Sequence, residues 1–176
     1  REKTKFEIKT LQAQINPHFL YNTLNTIKFL SVIQGVENIK NVAESLSLLM
    51  HINMSDRSFI SIKEEVEYLE NYINIQKYKY SNKFVCSFFV EEYLDEYMIP
   101  KLLLQPVVEN SILHGIAPLN SLGIIKIRIF KECNLIKIRI QDNGIGMSEE
   151  QIIKIFDRKT NSEKIGLCNT LERIKL

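Results

Sequence analysis

The chain has 176 residues with 45% hydrophobic and 25% charged side chains, a globular balance that excludes wholesale disorder and suffices for one large domain or two small ones. A net charge of +2 is too small to argue for nucleic acid or an anionic membrane surface as partner, and no run of about 18 apolar residues exists to span a bilayer. Cys86, Cys133 and Cys168 are few, odd in number and widely spaced; they form no metal-ligand pattern and favour a reducing compartment, the cytosol.

Arg1 opens in helix-forming sequence without an initiator methionine or signal peptide, so a piece of a longer protein is expected, with a sensor or membrane anchor upstream. Residues 1–33 are predicted as one long helix, because Ile8, Leu11, Ile15, Phe19, Leu20, Leu24, Ile27 and Leu30 recur at mostly three- and four-residue spacings. At about 100° per residue, Gln14, His18, Asn22 and Asn25 share a polar face that leaves the His18 imidazole accessible. Pro17 has no N–H to give and crowds the carbonyl of Ala13, which predicts a bend; the alternative is that Asn16 caps a new helix whose first residue is Pro17. Gln34-Gly35 is a helix stop, and a second helix is predicted over residues 37–54. Two helices so closely joined form an antiparallel hairpin, and they bury so little alone that pairing with a second copy into a four-helix bundle is expected.

A third helix is predicted over residues 62–80, opened by Ser61 with Glu64 three residues on in capping-box spacing and carrying Val66, Leu69, Tyr72, Ile73 and Gln76 on a recurring face. The turn signal Ser81-Asn82-Lys83 puts the domain boundary there, giving domains 1–81 and 82–176. Beyond it the period changes to two. Residues 84–90 read as a strand, Pro100 opens an apolar helix over 100–115, and residues 123–131 and 135–141 form a hairpin whose strands both contain Ile-Lys-Ile-Arg-Ile, with a connection of three to four residues. The Lys and Arg of that hairpin read as a solvated sheet face rather than a basic patch, with no aromatic interleaving to support base stacking.

Three segments carry chemistry. In Val-Val-Glu-Asn-Ser-Ile-Leu-His-Gly, Glu109, Asn110 and His114 are polar groups on an otherwise apolar helix, at about 1–3 kcal/mol each if unpaired; they either line a cleft or pair internally at the helix end. Asp142-Asn143-Gly144-Ile145-Gly146-Met147 ends a strand. As a hairpin turn it would be unremarkable, but Ser148-Glu149-Glu150-Gln151 follows with capping-box spacing, which gives strand, glycine loop, helix instead. Two glycines let a ligand approach the backbone, and Asp142 can accept a hydrogen bond from an exocyclic amine. Residues 157–164 are polar and lid-like, and Ile165-Gly166-Leu167-Cys168-Asn169 opens another helix whose free N–H groups suit phosphate.

In this order the segments resemble the nucleotide-binding boxes of the GHKL ATPase superfamily: Glu109-Asn110 with His114-Gly115 as N box, Asp142-x-Gly144-x-Gly146 as first glycine box, Gly166-Leu167 as second. With Pro17-His18-Phe19-Leu20-Tyr21-Asn22 and Leu104-Gln105-Pro106, the chain resembles LytS/YesM-type sensor histidine kinases over nearly its whole length. The resemblance implies an α+β protein: a long helical hairpin forming a dimeric four-helix bundle, then a GHKL-type two-layer α/β sandwich that binds ATP and Mg²⁺, with further strands beyond residue 176. It implies His18 as the nucleophile, Asn110 as magnesium ligand, and Asp142 as adenine reader. Gly144, Gly146, Gly166 and Leu167 would shape the loop and lid, with His114 beside the nucleotide and Glu109 organising metal and water. Asn22, one turn from His18, would orient the imidazole or position a water, whereas Phe19 stands where many histidine kinases have an acidic residue, which leaves the proton acceptor unassigned. Implied partners are a second copy and the receiver domain of a response regulator, with no nucleic acid or membrane contact by this cytoplasmic portion of a membrane-anchored protein. A dimeric scaffold without turnover would not need intact glycine boxes, and a GHKL ATPase or serine kinase would leave the hairpin and His18 unexplained.

Overall fold

A computed structural model of the chain describes residues 16–156. They form two compact units that divide between Asp56 and Arg57. The first is a helical hairpin, α1 (Pro17–Ile33) and α2 (Glu37–Met54). Gln34 ends α1, and Gly35 turns the chain with φ +67, a left-handed conformation that glycine adopts without steric cost. A Lys28–Glu44 ion pair of 2.8 Å ties the helices across the hairpin. A single helix across Pro17 is corrected here. Asn16 is extended at ψ 108 and its Oδ1 accepts from the N–H of His18 at 3.1 Å and of Phe19 at 3.4 Å, so Pro17 is the first residue of a capped helix and not a kink inside one.

The second unit starts with β1 (Phe59–Ser61), which pairs antiparallel with β3 (Met98–Pro100), and continues into α3 (Ile62–Lys79). The capping box is formed: Glu64 N–H donates to Ser61 Oγ at 3.2 Å and Ser61 N–H to Glu64 Oε2 at 3.0 Å. The Ser61 backbone, and then the Arg57 guanidinium, lower the Glu64 pKa. A carboxylate with a lowered folded pKa adds stability above its ordinary pKa and loses it as pH falls through the folded one. Replacing Glu64 by Ala is therefore expected to cost about 1 kcal/mol at neutral pH, a difference that shrinks on acidification in urea titrations at a series of pH values.

The expected boundary at residue 81 lies inside this second unit, because α3 buries Ile62, Tyr68, Leu69, Tyr72 and Ile73 and begins directly from β1. The main sheet has the order β2-β4-β5, with β2 (Phe84–Val90) parallel to β4 (Gly123–Glu132) and β4 antiparallel to β5 (Leu135–Asp142). Strict alternation points Ile125, Ile127 and Ile129 inward, each at most 1% exposed, against Phe84, Val108, Ile112, Ile116 and Leu69 in the core. The hairpin connection is only Cys133 and Asn134, since Glu132 pairs with Leu135; Cys133 at φ +55 makes so short a turn possible. On the outer face, Arg128 stacks over Phe89 at 5.5 Å and Phe130 at 6.0 Å, and Arg139 over Phe130 at 5.7 Å, so aromatic rings do interleave the basic residues of this solvated face.

The helix expected over residues 100–115 is also corrected. Pro100 ends β3 opposite Phe59, Leu102 has φ +59, and α4 runs only from Gln105 to Asn110. It continues as a π-helical turn, Ser111–Ile116, closed by Ala117 N–H to Ile112 O at 2.8 Å. Pro106 fits the first turn of α4, where a missing N–H costs nothing. After residue 142 the glycine loop leads into α5 (Glu149–Phe156), capped reciprocally by Ser148 and Gln151.

Candidate functional site

In the first unit, the cap that starts α1 leaves His18 exposed in its first turn. Asn22 lies one turn on, as the four-residue spacing requires, with Asn22 Nδ2 3.2 Å from His18 Nδ1. The amide carries both a donor and an acceptor on one end, so it holds the ring through Nδ1 in either tautomer and leaves Nε2 facing solvent.

In the second unit, Asp142 sits half-buried at the end of β5. Its Oδ2 accepts from the Ser111 hydroxyl at 2.8 Å and its Oδ1 from the Gly144 N–H at 2.9 Å. Each carboxylate oxygen keeps acceptor capacity for a further donor. The π-helical turn brings Ser111 and Gly115 to this carboxylate: a five-residue hydrogen-bond step rotates them away from where regular helix would put them, and such turns recur at functional sites. Ile145 N–H donates to Gly115 O at 3.1 Å. A Cβ at Gly144 would lie 2.5 Å from Gly115 Cα and 2.7 Å from Asp142 Oδ1, and one at Gly115 would lie 3.0 Å from Asp142 Oδ1. Only glycine at 144 lets the two backbones meet. Asn143 fastens the loop to the start of β4, accepting from Ile124 N–H at 2.6 Å through Oδ1 and donating to Leu122 O at 3.2 Å.

Asp142 and Gly144 are thus brought to Gly115 across 27 and 29 residues of chain. Asn110 is half-buried at the end of α4, whereas Glu109 and His114 are exposed. Their four-residue spacing would put Asn110 and His114 on one face of a regular helix, and the change of helical step between them breaks that face. Gly146 follows in the loop with φ +72 and open space around it. Gly166, Leu167 and the lid over 157–164 lie outside the described residues. Sequence reasoning gives no role to Ser111 or Asn143. Ser111 is buried next to Asn110 on a helix whose polar residues stand out, and that is its available signal.

The donor set fits the implied groups. A half-buried acidic acceptor framed by glycine backbone suits an amino-purine edge. Among the described residues no cluster of three His, Cys, Asp or Glu side chains could cage a metal. Magnesium needs no such cage, because it keeps several waters and binds through one or two protein oxygens plus phosphate; the Asn110 amide oxygen can be one of them.

Two family models divide the chain between them: "Histidine kinase" over residues 6–84, and "Histidine kinase-, DNA gyrase B-, and HSP90-like ATPase" over residues 97–174. The chain is 34% identical over 174 residues to the sensor histidine kinase YpdA of Escherichia coli strain K12, covering 98% of this chain and 30% of that protein. It is 36% identical over 172 residues to the sensor histidine kinase YesM of Bacillus subtilis strain 168, covering 97% of this chain and 29% of that one. To the sensor protein LytS of Oceanobacillus iheyensis it is 37% identical over 176 residues, 96% of this chain and 30% of that one. The chain therefore spans about 30% of the length of these curated relatives. With a histidine-presenting helical hairpin followed by an α/β unit whose glycine loop frames an aspartate, the chain carries a histidine kinase segment and a histidine kinase-like ATPase segment and is similar over nearly its whole length to sensor histidine kinases of the LytS and YesM type.

Proposed function

We propose that this chain is the transmitter portion of a two-component sensor kinase: it phosphorylates His18 from ATP with Mg²⁺ and passes the phosphoryl group to an aspartate of a response-regulator receiver domain. The observation that carries the reading is the Ser111–Asp142–Gly144 constellation, an acidic acceptor aligned by two hydrogen bonds and closed by backbone that a side chain would obstruct. Asp142 would accept from the exocyclic amine of adenine, and Gly144 and Gly146 would let the loop follow the nucleotide. Asn110 would offer its amide oxygen to the metal, with Glu109 and His114 at the same helix end. Gly166 and Leu167 would close the far side. Magnesium supplies charge neutralisation at the phosphates when bound.

His18 forms a bond from Nε2 to the γ-phosphorus while the bond to the β–γ bridging oxygen breaks and ADP leaves with the electron pair. For Nε2 to carry a lone pair in the neutral ring, the proton must be on Nδ1. Asn22 presents its Nδ2 to Nδ1 here, which suits the other tautomer; turning its amide over brings Oδ1 to accept from Nδ1–H and secures the reactive one. The helical hairpin is the dimerisation element in this reading: among its described residues only Leu24, Ala43 and Leu49 are buried apolar side chains, while Phe29, Leu30, Ile33, Leu46 and Leu48 stay exposed, an apolar surface that a second hairpin would cover. A cytoplasmic position follows from the need for ATP, and no described helix is long and apolar enough to cross a membrane.

The test is incubation with γ-labelled ATP and Mg²⁺. Acid-labile, base-stable label is expected, absent in His18→Gln and strongly reduced in Asn110→Asp. Label that persists at full level in His18→Gln would reject the site.

A further inference from the structure

One face of α3 runs alongside the start of the helix that carries Asn110. Glu65, Tyr68 and Tyr72 recur at three- and four-residue steps on that face and are 0%, 2% and 9% exposed. Both Glu65 oxygens accept from backbone: Oε2 from Leu102 N–H and Oε1 from Leu104 N–H, each at 2.8 Å. The Tyr68 hydroxyl donates to Gln105 Oε1 at 3.0 Å. Burial first, and then the negative charge of Glu109, push the Tyr72 phenol above its ordinary range, so the far end of α4 also lies within electrostatic reach of α3.

The bonds are placed where α4 most needs them. Leu102 sits at φ +59, a strained conformation for a non-glycine residue that persists only when its surroundings impose it. Leu104 precedes Gln105 as the cap of α4, and no side-chain oxygen of its own caps that helix. A fully buried carboxylate is expensive unless hydrogen-bonded, and here both its oxygens meet backbone donors. Glu65 therefore does for α4 what the glutamate of a capping box does for an ordinary helix, accepting from the N–H of the cap residue Leu104, and it also accepts from Leu102, but from 37 and 39 residues earlier in the chain.

We infer that Glu65, seconded by Tyr68, is a positioning residue for nucleotide binding: from α3 it fixes the Leu102–Leu104 turn and thereby aims α4 so that Asn110 meets the metal-bound phosphates. This rests on the ATP site proposed above. Asp142 also bonds Ser111 beyond α4 but is anchored in addition by β5 and the Gly144 N–H, so the contribution of Glu65 falls chiefly on the part of ATP affinity that depends on Mg²⁺.

Calorimetric titration of ATP into the whole chain, with Mg²⁺ and with EDTA, separates the two. Glu65→Gln keeps the shape but presents an amide N–H₂ to one of the two backbone donors. It is expected to reduce the Mg²⁺-dependent gain in affinity about tenfold, to leave the metal-free affinity near its original value, and to speed amide exchange at Leu102 and Leu104. Glu65→Asp, which retains the charge, is expected to recover part of the loss. A folded Glu65→Gln protein with an undiminished Mg²⁺-dependent gain would overturn the inference. Should Glu65→Gln fail to fold, Tyr68→Phe decides: a two- to threefold loss of the same gain is expected, and an unchanged gain refutes the positioning role. If the unaltered protein bound no ATP, the proposed function would fail and this inference with it, an outcome plainly different from equal gains in the two proteins.

Discussion

Asp142→Asn is expected to lower ATP affinity by about 10- to 100-fold and to leave the unfolding temperature within a few degrees of the original. The fold tolerates the change because Asn keeps an oxygen for the Gly144 N–H, and its new N–H₂ can donate to Ser111, whose hydroxyl turns from donor to acceptor. What is lost is the charged acceptor proposed for the adenine amine. Hydrogen bonds to charged groups contribute about 1.5–3 kcal/mol, and each 1.4 kcal/mol is tenfold in affinity. Calorimetry together with thermal unfolding separates the outcomes. Loss of stability in step with affinity would make Asp142 a structural residue only.

Gly144→Ala is expected to act through the fold and the site at once. The new methyl would stand 2.5 Å from Gly115 Cα and 2.6 Å from its carbonyl carbon, and both are backbone atoms that cannot rotate aside. Separating the two segments breaks the Ile145-to-Gly115 hydrogen bond and moves the loop off Asp142. Overpacking of this kind costs about 1–3 kcal/mol, and ATP binding should be lost with it. Gly146→Ala is the control: its φ of +72 imposes a backbone penalty, yet the space around it is open, so nucleotide binding should survive better. Equal losses at the two positions would show that backbone conformation, rather than the close approach at Gly144, governs the loop.

Much of this was legible because the signals are local. The hairpin helices, the stop at Gln34-Gly35, the Ser61–Glu64 capping box and the alternating strands each depend on residues within a turn or two of one another. The segment 100–115 was not, and the reason is physical. A proline before an apolar run reads as a helix start, but Pro100 is claimed by a strand partner at Phe59 and the turn after it by the carboxylate of Glu65. Neither partner is near in sequence. Glu65 did leave a trace: a carboxylate on the stripe shared by Ile62, Leu69 and Tyr72 breaks an apolar pattern and so marks a buried acceptor. At Pro17 the side-chain cap from Asn16 decided between two readings the sequence left open, in favour of a helix that starts beside His18. A pre-formed helix start therefore replaces the bend at Pro17 as the local setting of the imidazole.

Transfer of phosphate from ATP to His18 is readily checked in a chain that contains only three histidines. After incubation with Mg²⁺ and ATP, peptides prepared at neutral to alkaline pH and mapped by mass spectrometry should carry acid-labile phosphate on the fragment containing His18 and none on those containing His51 or His114. Phosphate on either of the other histidines, or acid-stable phosphate on serine or threonine alone, would contradict the account.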